Sequence, residues 1–332
     1  MANELRTQTM GNKVRSRKNL SLLKKLNITA IGGGHGLGRL MSTLSFLDKR
    51  LVGIVATTDN GGSTGKLREH QQCIAWGDIR NCMAQLADQP LAKELLNYRF
   101  NGESSLDGHS FGNLLLYTLD AISARPLDGI QLLSRLLKVR NRVLPMSETP
   151  TDLIAELDNN LQCFGEIRID ELMQMPKQLS LSPQVQGTPE ALTHITRSDL
   201  IILGPGSFLT SVLPPLLVGD IARAIEKSPA KVIFIDNLVA EQSPAGALPL
   251  NEKLRWLENQ LGYLPIDLVI SPSASHAHPI PTIQSVAADS EVAHRHDMDS
   301  LLIAIEQAAE ALLTAKTVAT NEQPETGPYS LP

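Results

Sequence analysis

Several features are scarce in this sequence of 332 residues, and each scarcity excludes a class of protein. Aromatic residues make up 4% of the chain, which argues against the stacking surfaces that bind single-stranded nucleic acid. The three cysteines form neither a CxxC pair nor a zinc-binding spacing, and so sparse a set is typical of a reducing compartment. Apolar runs such as 114–117 and 232–235 fall far short of the about 20 residues of a membrane-spanning helix.

The excess of one sign of charge over the other is also small, because the chain has 30 basic and 35 acidic residues and a formal net charge of −5. This balance predicts no partner among nucleic acids or anionic membranes. Residues 1–27 are polar and basic without the apolar centre of a signal peptide, so we expect a solvated N-terminal extension that runs into a short amphipathic helix, and a cytoplasmic protein. Residues 315–332 are polar and are predicted to form a disordered tail.

What the sequence does contain is an alternation of short apolar runs with helical patterns. Residues 28–31 and 51–57 are predicted to be buried strands, and the apolar residues between them repeat at helical spacing. This order of strand, helix and strand is the repeating unit of a parallel sheet. Further strands are predicted at 200–203, 231–235 and 266–270, and helices at 79–87, 111–122, 130–138 and 301–313.

A change of pattern at about residues 143–187 predicts a small β insertion on the main sheet. Its segments 152–157, 163–169 and 179–182 have the composition of short strands. The chain is therefore predicted to form one α/β domain over residues 28–314, with three layers and a mainly parallel central sheet of the Rossmann-like type.

Four predicted strands end in loops of glycine and small polar residues, at 32–38, 59–65, 204–207 and 236–237. In an open parallel sheet such loops meet at one edge, where ligands bind. A glycine loop that opens a helix presents N–H groups to phosphate, although the same glycines could serve only to pack helix on strand. The standard dinucleotide fingerprint is not present, because neither register of the first loop supplies its third glycine.

Individual polar residues in these loops allow more than one interpretation. Asp59 could bind a ribose, hold Mg²⁺ through water or cap a turn. A P-loop is disfavoured, because Leu67 follows Lys66 where serine or threonine is required. Ser207 lacks the following glycine of a nucleophile elbow, so we interpret it as a phosphate-binding hydroxyl or a helix cap. His35 could donate to a phosphate, act as an acid or face water.

Other polar residues are expected to have local roles. Asp78 is predicted to be the N-cap of the helix that follows it. His109 lies just before another predicted helix. His276 and His278 are expected to be surface residues, because two loop histidines with no third ligand nearby make a weak metal site.

Seven segments together resemble one known family. In chain order they are GGGHGLG, TTDNGGSTGKLRE, WGDIRNCMAQLA, YRF, GHSFGNLLL, VLPMSE and ILGPGSFLTSVLPPLLV. Over residues 28–312 the chain resembles the gluconeogenesis factor family, which belongs to the CofD-like superfamily of 2-phospho-L-lactate transferase. The resemblance implies a cytoplasmic protein of Rossmann-like fold that binds a nucleotide sugar such as UDP-GlcNAc. It also implies a role in growth on gluconeogenic carbon sources and in cell shape.

The resemblance leaves two functions open. One is a regulatory protein that binds a nucleotide sugar without turnover, which is favoured because the sequence shows no acid–base pair. The other is a transferase, for which the superfamily implies Mg²⁺-dependent transfer of a phospholactyl group from a guanylyl donor to a deazaflavin. Catalysis would then be electrostatic, with backbone N–H groups and a cation bearing the phosphate charge. A homodimer is the default expectation for either function.

The matching motifs also imply a set of site residues. The glycines of the first loop would hold the diphosphate, and Asp59 would lie near the diphosphate or a metal. Two positions depart from the family, since His35 stands where threonine is common and Asn60 where a second aspartate is common. The loss of that carboxylate weakens the case for a metal, for which Asp59 is the candidate ligand and catalytic residue. The candidate ligand-binding residues are Gly33, Gly34, His35, Gly36, Asp59, Asn60, Ser63, Asn81, Asn113, Gly204, Gly206, Ser207 and Asn237.

Overall fold

A parallel sheet between two layers of helices dominates the computed structural model, which describes residues 22–158, 161–272 and 279–319. The strands are β1 (Ile28–Gly32), β2 (Leu51–Val55), β3 (Arg142–Pro145), β4 (Asp152–Glu156), β5 (Gln162–Phe164), β6 (Gln178–Ser182), β7 (Leu200–Leu203), β8 (Lys231–Ile235), β9 (Leu268–Ile270) and β10 (Thr282–Ile283). The helices of the first half are α1 (Gly34–Thr43), α2 (Gly62–His70), α3 (Gly77–Leu86), α4 (Pro90–Asn97), α5 (Phe111–Ile122) and α6 (Pro126–Leu136). Those of the second half are α7 (Glu166–Asp170), α8 (Pro189–Arg197), α9 (Leu213–Leu216), α10 (Gly219–Lys227), α11 (Leu250–Leu261) and α12 (Met298–Ala319).

The main sheet has the strand order β10-β9-β8-β7-β1-β2-β3, and all of its pairs are parallel. From β1 the chain moves outward to β3, returns to the other side of β1 as β7 and moves outward again to β10. The strand order therefore reverses between β1 and β7, and ligands of such sheets bind at that point. The three-layer α/β prediction is confirmed.

The core lies on both faces of this sheet, which is why its strands are continuously apolar. All five residues of β1 are buried. Ile28 packs in the layer that contains Leu37 and Leu301, whereas Ile31 packs in the opposite layer with Ile221. Leu23 and Leu26, from the segment predicted to be a short amphipathic helix, are also buried, so the domain begins before the predicted boundary at residue 28.

The β insertion is confirmed as an antiparallel sheet of order β5-β4-β6, with two corrections to its bounds. Residues 163–169 do not form one strand, because the chain turns at Gly165 (φ +86°) and continues as α7. Residues 143–145 belong to the main sheet, where Val143 pairs with Gly53 of β2.

Most predicted helices are present, with shifted ends. The helix at 111–122 is confirmed, and the last helix continues to Ala319, beyond the predicted boundary at 314. The prediction that Asp78 is an N-cap is wrong, because Trp76 is the N-cap of α3 and Asp78 lies in its first turn. The predicted surface histidines His276 and His278 lie outside the described residues.

No single described helix is long and apolar enough to cross a bilayer. One bent pair, Phe208–Leu216 with Gly219–Lys227, passes by length and composition alone.

Candidate functional site

A cavity of about 620 Å³ lies where the strand order reverses, beside the loops that follow β1 and β7. Its volume is within the range of small-molecule sites. The cavity is lined by residues 35–36 and 39 of α1, 205–207 after β7, 237 and 239–242 after β8, and 294–296 before α12. Three of the four loops predicted to share one edge therefore contribute to one cavity.

The glycines after β1 let two other elements approach closely. A Cβ on Gly33 would lie 2.3 Å from a carboxylate oxygen of Asp78, and one on Gly36 would lie 2.2 Å from the carbonyl oxygen of Pro205. Gly34 has a φ of +58°, which L side chains rarely adopt. Contacts within the protein thus require small residues here, whether or not a ligand is present.

The loop after β7 is held in place by hydrogen bonds from its neighbours. The side chain of Asn237 accepts from the N–H of Gly206 at 3.2 Å and donates to its carbonyl oxygen at 2.9 Å. The hydroxyl of Ser207 accepts from the N–H of Thr210 at 3.4 Å, so the expected helix cap is present. It also donates to Asp170 at 3.3 Å. Ser207 therefore both lines the cavity and caps the helical turn behind it.

Arginines surround His35 on the α1 side of the cavity. Partial burial lowers the pKa of His35, and the positive charges of Arg80 and then Arg295 lower it further. Arg39 lies four residues after His35, on the same face of α1, and lines the same cavity. The His35 ring is therefore mainly neutral near pH 7, and a bound anion would offset the positive charge of the arginines around it.

The segment 287–297, which we call the cover segment, brings Arg295 to this place. Its backbone folds on itself, with the N–H of Asp289 donating to the carbonyl oxygen of Arg295 at 2.7 Å. Arg39 holds it from α1 by donating to the carbonyl oxygen of His296 at 3.0 Å and by an ion pair with Asp289. Burial lowers the pKa of His296 to about 4, so its ring is neutral at pH 7.

A second cavity of about 180 Å³ adjoins the first. His35, Arg39 and Arg295 line both cavities and so form their common wall. The remaining lining residues of the small cavity are Asn81, Ala84, Gln85, Lys93 and Asn97, from α3 and α4.

Several carboxylates that line neither of the two cavities gather near the glycine loop. Asp59 accepts a hydrogen bond from the N–H of Gly61 at 2.7 Å, and Thr58 donates to Glu166 at 2.5 Å. Burial, and then the charge of Asp59, raises the pKa of Asp78 to about 7 and raises that of Glu166 well above its usual value. These groups repel one another, so part of the cluster holds protons near neutral pH.

The described residues do not form a ready divalent-cation site. Within residues 22–158, 161–272 and 279–319, no three histidine, cysteine, aspartate or glutamate side chains are grouped as metal ligands would be. One oxygen of Asp59 already accepts from the backbone of its own turn. Asp59 as a magnesium ligand therefore stays a prediction.

The structure brings together some of the predicted site residues and separates others. His35, Gly36, Gly206, Ser207 and Asn237 line the large cavity, and His35 and Asn81 line the small one. Gly33, Gly34, Asp59, Asn60, Ser63, Asn113 and Gly204 line neither of these two cavities.

Several of the second group have internal partners instead. Asn113 is buried and accepts from Arg80 at 3.3 Å, while Ser63 accepts from the N–H of Ser110 at 2.9 Å. Asn60 accepts from the N–H of Ile167 at 3.3 Å. These hydrogen bonds are made within the protein, outside the lining of the two cavities.

Sequence analysis missed the cations of the common wall. Arg39 had a local signal, because it stands one helical turn after His35. Arg295 had none, since it lies 256 residues beyond Arg39 in a segment without regular structure that motif analysis passed over. Glu166 was also missed, because it lies in the segment 163–169 that was predicted to be a strand, and so was Asp170, which follows that segment directly.

Comparison with known proteins defines the class. The family model described as 2-phospho-L-lactate transferase CofD matches residues 28–315. The chain therefore belongs to the CofD family. Within this family the chain matches relatives that are named gluconeogenesis factors, and it belongs with them.

The relatives match along most of their length. A protein of Pasteurella multocida named "Putative gluconeogenesis factor" is 45% identical over 295 residues, covering 87% of this chain and 95% of that protein. The protein named "Gluconeogenesis factor" from Bacillus subtilis is 33% identical over 279 residues, covering 83% and 84%. The family resemblance inferred from the seven segments is confirmed.

Solved structures agree with the fold. A crystal structure of a protein of Bacillus halodurans matches with a TM-score of 0.75 and 28% identity, covering 86% of this chain and 99% of that one. A second crystal structure, of a UPF0052 family member from Bacillus halodurans, matches with a TM-score of 0.77 and 29% identity, covering 87% and 99%.

Proposed function

We propose that this gluconeogenesis factor is a regulatory protein that binds a nucleotide sugar of the UDP-GlcNAc type without turning it over. The observation that carries the proposal is the common wall of the two cavities. There His35, Arg39 and Arg295 converge where the strand order reverses. A diphosphate is the part of such a ligand that would lie between two cavities and require cations.

The large cavity suits the nucleoside on one side of that wall. Its lining combines apolar surface from Val239 and Ala240 with polar groups of Ser207 and Gln242. Small-molecule sites commonly combine apolar walls with a few polar groups that orient the ligand. In the cell we place the protein in the cytoplasm, with a role in growth on gluconeogenic carbon sources and in cell shape.

The proposal is tested by titrating UDP-GlcNAc into the wild type and into Arg295→Met by isothermal calorimetry, with and without Mg²⁺. Hydrogen bonds to charged groups contribute about 1.5–3 kcal/mol, so the variant should bind about 10- to 100-fold more weakly. Arg135→Met removes an exposed arginine that lines neither cavity and should bind like the wild type. Absence of binding by the wild type, or conversion of UDP-GlcNAc by the pure protein, would contradict the proposal.

A transferase is the second candidate function, and the CofD family model is the observation that favours it. It would act on a donor linked to a nucleoside diphosphate, and Mg²⁺ would belong to it as a predicted cofactor. The position of Asp59 supports it less, because that carboxylate lines neither cavity. The test is a mass-spectrometric assay for transfer from a guanylyl donor, in which an unchanged rate in Asp59→Ala would count against this function.

A further inference from the structure

Apart from the three residues of the common wall, the small cavity is lined by different chemical groups from the large one. Its own polar groups are the side-chain amides of Asn81, Gln85 and Asn97 and the ammonium of Lys93. Side-chain amides both donate to and accept from hydroxyl groups, and a lysine ammonium donates to them. The acidic residue Glu241, in contrast, lines only the large cavity.

Asn81 carries a buried hydrogen-bond acceptor with no partner within the described part of the chain. The residue keeps 8% of its surface exposed and lies on α3, against the small cavity. Its amide nitrogen donates to the carboxylate of Asp78, which leaves Oδ1 unpaired. A buried acceptor without a partner is costly, so a ligand that donates a hydrogen bond here would gain affinity.

The size and polarity of the small cavity decide which group fits. Its volume of about 180 Å³ is some six times the ~30 Å³ that one water occupies in the liquid, so it is too large for a single ion. A fully ionised phosphate offers no hydrogen to Asn81, whereas a sugar hydroxyl both donates and accepts. Lys93 on α4 is exposed at the rim and can donate to a second hydroxyl.

We infer that the small cavity is a subsite for a polyhydroxyl group of hexose size attached to the far phosphate of the ligand. Asn81 accepts from one hydroxyl of this group and Lys93 donates to another. The inference rests on the proposed function, because it needs the diphosphate at the common wall. It adds the residues that distinguish a nucleotide sugar from the bare nucleoside diphosphate.

The test compares UDP-GlcNAc with UDP by calorimetry in the wild type, Lys93→Met and Asn81→Ala. The wild type should bind UDP-GlcNAc at least tenfold more tightly than UDP. Each variant should lose most of this preference while its affinity for UDP stays within about twofold. Lys227→Met, which removes an exposed lysine of α10 away from both cavities, should keep the preference.

The outcomes separate this inference from the proposed function. If the wild type binds neither compound, the proposed function fails and the subsite with it. If the wild type binds both equally, or if Lys93→Met weakens both equally or neither, only the subsite is overturned. Should Asn81→Ala unfold, the exposed Lys93 still decides the result, because its replacement leaves the core intact.

Discussion

The carboxyl of Asp78 makes the stability of this protein depend on pH in an unusual direction. The side chain lies between the glycine loop and the start of α3, where the N–H of Gly34 donates to it. Burial, and then the charge of Asp59, raises its pKa from 3.8 to about 7. Asp78→Asn replaces it with an uncharged group of the same shape that can still accept from Gly34.

The expected magnitude follows from proton linkage. Between about pH 4 and pH 7 the folded protein keeps a proton on Asp78 that the unfolded chain has released. The free energy of unfolding therefore falls as the pH rises through this window. The shift is about three pKa units at about 1.4 kcal/mol each, which sets an upper bound near 4 kcal/mol. Because the residue is half-buried and water can relax around it, we expect about 2–4 kcal/mol.

Urea unfolding at about pH 4.5, 6 and 8 measures how the free energy of unfolding depends on pH. These values cover most of the range between the unfolded and the folded pKa of Asp78. Asp78→Asn should match or fall slightly below the wild type at the lowest pH and exceed it by the stated amount at the highest. Asp128→Asn removes an exposed aspartate from the first turn of α6 and should leave the pH dependence of the wild type unchanged. Parallel curves for the wild type and Asp78→Asn would refute the reasoning.

Three further perturbations test how the site is assembled. Gly36→Ala would place a Cβ 2.2 Å from a backbone oxygen, so it should destabilise the fold and abolish UDP-GlcNAc binding. Gly219→Ala should be tolerated, because its Cβ would meet only a flexible guanidinium at 3.5 Å. Equal melting temperatures of the two variants would contradict this expectation. Asn237→Ala removes both hydrogen bonds that hold the loop after β7, and calorimetry should show weaker ligand binding. Arg39→Met should speed hydrogen exchange in the cover segment, and unchanged exchange would show that other contacts hold it.

The frame of the fold could be predicted because its signals are local. A buried apolar run followed by glycines and a helical repeat defines β1 and α1, and the same alternation resumes at β7. The convergence of loops at one sheet edge then follows from parallel topology alone. The two-residue strand β10 could not be predicted in this way, because so short an edge strand has no period of its own.

The site could be predicted only in part, because it is assembled from distant segments. Gly36 and Ser207 were found through loop composition, and both line the large cavity. The reason why position 36 requires glycine could not be predicted, since the contact is with Pro205, which follows β7 and is distant in sequence. Arg295 reaches the common wall because α1 holds the cover segment in place through Arg39. No spacing of residues along the chain predicts a contact between segments so far apart.

The most direct test of the account is a crystal structure of the protein grown with UDP-GlcNAc. The account predicts the diphosphate within hydrogen-bonding distance of His35, Arg39 and Arg295, with the uridine in the large cavity and the sugar beside Asn81. A ligand bound at the carboxylates around Asp59, or anywhere away from the common wall, would contradict it.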